Sequence, residues 1–204
     1  MRKILLLLSL ILVAASSFAQ VNLQSVIKPG TRLVYAIDAN EQHYDFIVTV
    51  KALSPAVVFD WEMTNDSKSS GSITHTATAM TAGNTLYNYF SPGPKTLDDN
   101  TLSVWISKNA FNSLTKGGKS ALLKMNVNEA ARKMLVTQED PTELKILLNG
   151  EKETVELFTA KDANFANTSP EDQVSFSFSN NAKMPIILQM RNGFSLSLKE
   201  IKTQ

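Results

Sequence analysis

Along residues 43–52 apolar and polar side chains alternate with a period of two. Tyr44, Phe46, Val48, Val50 and Ala52 share one face; His43, Asp45, Ile47, Thr49 and Lys51 share the other. Successive side chains of a strand point to opposite faces, so this pattern predicts a strand with one buried side. Residues 31–37 read as the strand before it, reversed at Asp38-Ala39-Asn40. Residues 55–64 repeat the alternation, with Val57, Phe59, Trp61 and Met63 against Val58, Asp60, Glu62 and Thr64. Their antiparallel partner is expected at 71–79, across the polar tip 65–70, where Thr74, Thr76 and Thr78 suit a half-solvated strand. A short apolar and aromatic run at 86–90 stops at Pro92-Gly93-Pro94.

The second half adds a helix and two hairpins. Residues 102–106 read as a strand, after which Ser107 caps a short helix through Asn109, Phe111 and Leu114, ended by Gly117-Gly118. A second, very short helical stretch falls at 129–133. Asn149-Gly150 separates strand-like runs at 144–148 and 154–159, and Asn192-Gly193 separates 185–191 from 194–201. Asn-Gly between such runs predicts a tight hairpin, because a type I′ turn needs positive φ at both central residues. Residues 173–179 form one more strand. The sum is about ten strands and no βαβ rhythm. The expected fold is mainly β: a large curved antiparallel sheet, as a partial barrel or two-layer sandwich, with one or two short helices. So many strands exceed what a twisted open sheet usually holds flat.

The N-terminus changes the picture of where this fold operates. Arg2 and Lys3 precede the apolar run 4–13 and the small residues 14–19, with Ser17 and Ala19 placed as in a signal-peptidase site. The run is too short for a transmembrane helix, which needs about 20 apolar residues. Residues 1–19 are therefore read as a signal peptide and 20–204 as one antiparallel β-rich domain, exported to the periplasm or the extracellular space. The chain has no cysteine, so it is not a lipoprotein, and its stability rests on packing rather than on disulfides. Its net charge of +1 becomes −1 without Arg2 and Lys3. That balance argues against nucleic acid as a partner, and the mature chain carries no integral membrane segment.

Chemical signatures are sparse. Asp60 and Glu62 share a strand face, as an acid and base pair for glycoside cleavage would, but such pairs usually face each other across a cleft. His43 and His75 lie on separate strands, and with Asp45 they do not make a ligand spacing for metal; both read as surface imidazoles. Gly118-Lys119-Ser120 lacks the earlier glycine of a phosphate loop, since Ser113 stands there. No catalytic, metal or cofactor site is assigned. Aromatic side chains are the remaining signal: Trp105, Tyr87, Tyr89 and Trp61 are candidate ligand-binding residues, because exposed rings line sugar and lipid grooves.

The segment 181–190, then Gly193-Phe194 and 198–201, together with 30–35 and 59–64, resembles a group of uncharacterised secreted bacterial β-rich proteins, loosely similar to periplasmic lipoprotein carriers. The resemblance implies a curved antiparallel sheet whose concave face holds acyl chains, and it brings no catalytic residues. The expected function is an exported non-enzymatic β domain binding a lipid or other apolar or amphipathic ligand. The alternatives are a scaffolding domain contacting an envelope protein or carbohydrate and, third, a hydrolase.

Overall fold

The alternation of the front half becomes a four-strand meander. It is preceded by a single helical turn, α1 (Leu23–Val26), and comprises β1 (Arg32–Ala39), β2 (Gln42–Ala52), β3 (Val57–Met63) and β4 (Ser70–His75). A computed structural model describes residues 21–39, 41–65 and 69–204. The expected signal peptide lies outside the described residues, as do Asn40 and part of the 65–70 tip. Register follows the hydrophobic pattern, because a one-residue slip would turn every apolar side chain to water. Tyr35 stands opposite Phe46, and Phe46 opposite Met63; Val48 stands opposite Trp61, and Trp61 opposite Gly71. The reverse face carries ion pairs, including Arg32 with Glu62 at 2.8 Å and Lys51 with Asp60 at 3.1 Å.

Two regions depart from the sequence reading. Residues 76–79 leave the sheet: the Thr76 hydroxyl accepts from the Ala79 N–H and starts α2 (Ala77–Ala82). An N-cap hydroxyl followed by an alanine-rich run favours a helical turn over continued extension. The 86–90 run contributes only β5 (Thr85–Leu86), and β6 (Gly93–Thr96) forms beyond it. Next come β7 (Thr101–Leu102) and α3 (Lys108–Thr115), with Ser107 as its N-cap. Then β8 (Ser120–Leu123) and β9 (Arg132–Val136) follow, so the second short helix expected at 129–133 gives way to a turn entering a strand.

The chain closes with β10 (Thr142–Leu148), β11 (Glu151–Asp162), β12 (Ser175–Ser179), β13 (Ile187–Arg191) and β14 (Ser195–Lys202). Among the described residues, twelve strands form one sheet in the order β6-β4-β3-β2-β1-β14-β13-β12-β11-β9-β8, with β10 bridging β11 and β14. That bridge closes β10 to β14 into a five-stranded barrel from which the meander extends. Among the described residues, pairing between strands is antiparallel except for β4 with β6, β5 with β7, and β10 with β14, and an isolated parallel bridge joins Thr85 to Lys124. At the β10–β11 hairpin, Asn149 (φ +53) and Gly150 (φ +88) both adopt positive φ, as a type I′ turn requires. The other Asn-Gly differs. Only Gly193 is left-handed (φ +70), and the turn takes in Asn192, Gly193 and Phe194, with the Asn192 N–H donating to the Phe194 carbonyl at 3.0 Å.

Apolar side chains gather in two cores. The first joins the inner face of the meander (Leu33, Tyr35, Phe46, Val48, Phe59, Trp61, Ile73) to barrel residues Val155, Leu157, Leu188 and Leu198. The second packs α2 and α3, through Ala79, Phe111 and Leu114, against Phe158, Phe176 and Phe178. Segment 101–107 runs between them and is buried throughout. Val104 and Trp105 enter the first core; Leu102 and Ile106 enter the second. No helix among the described residues is long and apolar enough to cross a membrane.

Candidate functional site: an apolar pocket with a polar end

Where the meander meets the barrel, the inner face of the sheet is not fully covered. Two cross-strand rows form the floor. One runs Met190–Leu196–Ile37–Tyr44, each opposite the next on neighbouring strands. The other contains Tyr35, Phe46 and Met63. Over them lies segment 86–91, and the pocket between has a volume of about 530 Å³. Volumes of this size are typical of small-molecule sites.

The roof is held by aromatic contacts. The Phe90 ring lies 4.5 Å from Phe46, 5.2 Å from Trp61 and 5.6 Å from Tyr87. Tyr35, fully buried, donates its hydroxyl to the Ile187 carbonyl at 3.0 Å and so joins the floor to β13. Burial pushes the Tyr35 phenol well above its ordinary range, which keeps it neutral and able to donate. Tyr44 is shifted upward by the same cause.

One wall carries backbone strain. Val104 sits at φ +66, a region that a β-branched residue enters at a cost of the order of 1–3 kcal/mol. Neighbouring bonds hold it there. The Ile187 N–H donates to the Val104 carbonyl at 2.7 Å, and the Ile106 N–H donates to Pro185 at 3.1 Å. On the other side the Ser103 N–H donates to His75 Nε2 at 2.9 Å. His75 is not the surface imidazole expected from sequence. It is wholly buried beside Phe59 (5.6 Å) and Trp105 (5.8 Å). Burial pulls its pKa down to about 4, and the Ser103 donor keeps Nε2 an acceptor, so the ring is neutral with its proton on Nδ1.

The opposite end of the pocket is polar. Asn88 Nδ2 donates to the Met125 carbonyl at 3.0 Å, and Asn192 Nδ2 lies 3.5 Å from the same oxygen and 3.4 Å from Glu129 Oε1. Asn126 is buried beside them and accepts from the Asn128 N–H at 3.0 Å. The Asn88, Asn126, Glu129 and Asn192 side chains all line the pocket.

Of the four aromatic residues singled out from sequence, Tyr87 and Tyr89 line this pocket, Tyr89 at its exposed rim. Trp61 and Trp105 sit behind it in the first core, 2% and 0% exposed. Asp60 and Glu62 remain on the outer face, each engaged by a cation. His43 is exposed and far in register from His75, near Asp38 at 3.7 Å. Among the described residues no three His, Cys, Asp or Glu side chains converge as a metal site would require. The polar end escaped the sequence reading because Asn88, Asn126, Glu129 and Asn192 come from three separated segments with no shared motif. No protein-family model, no curated protein and no solved structure matches the chain.

Proposed function

We propose that the protein is an exported, non-enzymatic binding protein that holds an apolar or amphipathic ligand between the curved sheet and segment 86–91. The observation that carries this reading is the pocket itself: about 530 Å³ lined largely by apolar and aromatic side chains, with polar groups gathered at one end. Such a slot suits a single chain with a polar head. The basic, apolar and small-residue order of 1–19 supports a setting outside the cytoplasm.

Displacement of a fluorescent acyl probe by alcohols from hexanol to hexadecanol tests the proposal. Each buried methylene is worth about 0.8 kcal/mol, so affinity should rise about fourfold per added carbon until the pocket is full. The variant Leu196→Trp, which fills the floor, should weaken binding at least tenfold while the urea midpoint stays nearly constant. Flat affinity across the series, or undiminished binding by the filled variant, contradicts the reading.

A second reading draws on Tyr89, 64% exposed at the pocket rim. Its ring would serve as an anchor for another envelope protein. In that case Tyr89→Ala abolishes capture of that partner while alcohol binding persists.

A further inference from the structure

We infer that the occupant carries a positively charged, hydrogen-bond-donating head, received by Glu129 at the polar end of the pocket; this rests on the binding role proposed above. Three observations converge. First, Glu129 is the one charged side chain lining the pocket, and no lysine or arginine lines it among the described residues. Second, two buried oxygens at this end are short of donors: Asn88 Oδ1 has no hydrogen-bond partner, and Glu129 Oε2 has no hydrogen bond and only the long ion pair to Arg132 Nε at 3.5 Å. The Asn88 amide orientation is fixed, because its Nδ2 donates to the Met125 carbonyl at 3.0 Å; a flipped amide would set oxygen against oxygen. Third, the local charge is negative. Arg132 is shared, with Nε 3.5 Å from Glu129 Oε2 and Nη1 3.1 Å from Asp162 Oδ2, so one cation faces two carboxylates. The Lys95 ammonium is engaged by the Tyr87 hydroxyl at 3.2 Å and lies over that ring.

A buried acceptor without a donor is costly, whereas an ammonium brings three donors and no acceptor. A carboxylate or phosphate head would bring acceptors and negative charge to a place already supplied with both. The chemistry therefore selects alkylammonium amphiphiles over fatty acids of equal chain length.

The test is isothermal titration calorimetry of the full exported chain with dodecylammonium, dodecyltrimethylammonium and dodecanoate, each below its micellar concentration. Dodecylammonium should bind at least about tenfold more tightly than dodecanoate, with the trimethyl form, which has charge but no N–H, between them. In Glu129→Gln the ammonium preference should fall to within about threefold, and Asn88→Leu should reduce it while leaving Glu129 in place. Dodecanoate binding as tightly as dodecylammonium, or a preference unchanged in Glu129→Gln, overturns the inference and leaves the apolar pocket standing. Failure of all three amphiphiles to bind overturns both.

Discussion

Acid should weaken this protein through one imidazole. His75 is buried and neutral, with a pKa pulled to about 4, whereas in the unfolded chain it returns to about 6.5. Above pH 6.5 both states are neutral, and the histidine adds no pH dependence. Below that, the unfolded chain gains a proton that the folded protein cannot accept, so stability falls as pH drops. The loss continues until about pH 4, where the folded ring also protonates. Each pH unit in this window is worth about 1.4 kcal/mol, so the full effect is about 3 kcal/mol, a large share of the stability of an ordinary domain. The assay is the urea midpoint at pH 7.0, 5.5 and 4.5, for the wild type and for His75→Leu. The variant leaves the Ser103 N–H without its acceptor and should lose about 1–3 kcal/mol at neutral pH, but its midpoint should fall less steeply between pH 6.5 and 4.5. Parallel curves for the two proteins would refute the assignment of a buried neutral ring. Amphiphile affinity of the folded protein should be unmoved by His75 over the same window, because the folded ring stays neutral until about pH 4.

Two further outcomes test the scaffold. Gly71 lies under the Trp61 indole and against the Gly93 carbonyl, and an added Cβ would meet both; Gly71→Ala should cost about 1–3 kcal/mol, read as a lower thermal midpoint. Asn149 supplies a left-handed turn and also clasps the C-terminal segment, its Nδ2 donating to Thr203 Oγ1 at 2.9 Å and its Oδ1 accepting from the Thr203 N–H at 2.8 Å. Asn149→Ala should lose both roles and cost about 2 kcal/mol, while Asn149→Gly loses only the clasp and should lose less; equal costs in urea would show that the left-handed turn contributes nothing, and an undiminished midpoint for Asn149→Gly that the clasp contributes nothing.

Period-two patterning carried much of this fold. In 43–50 and 57–63 the inward side chains read from alternation lie on the inner face, because one side of those strands meets water and the other a core; the bulge after Val50 takes Ala52 out of that row. Alternation failed where both sides are buried. In 102–106 strict alternation would set Trp105 opposite Leu102, Val104 and Ile106, yet the segment runs between two cores and the positive φ at Val104 breaks the strand there. The strand at 93–96 has no apolar pattern, and those at 120–123 and 132–136 are too short for a period of two to show; their neighbours in the sheet recruit them. The pocket was legible only in part. Its floor residues Tyr44, Phe46 and Met63 were marked as a buried face, whereas the gap above them depends on how far segment 86–91 stands from the sheet, a distance no local pattern encodes.

The central claim is that an amphiphile's chain lies on the sheet floor between Met63 of β3 and Met190 of β13. Methyl NMR of methionine-labelled protein titrated with dodecylammonium tests it directly. Met63 and Met190 line the pocket, while Met134 is fully buried in the second core. The account predicts saturable shifts for Met63 and Met190 together, with Met134 unmoved. Shifts confined to other methyls, or none at saturating ligand, would contradict it.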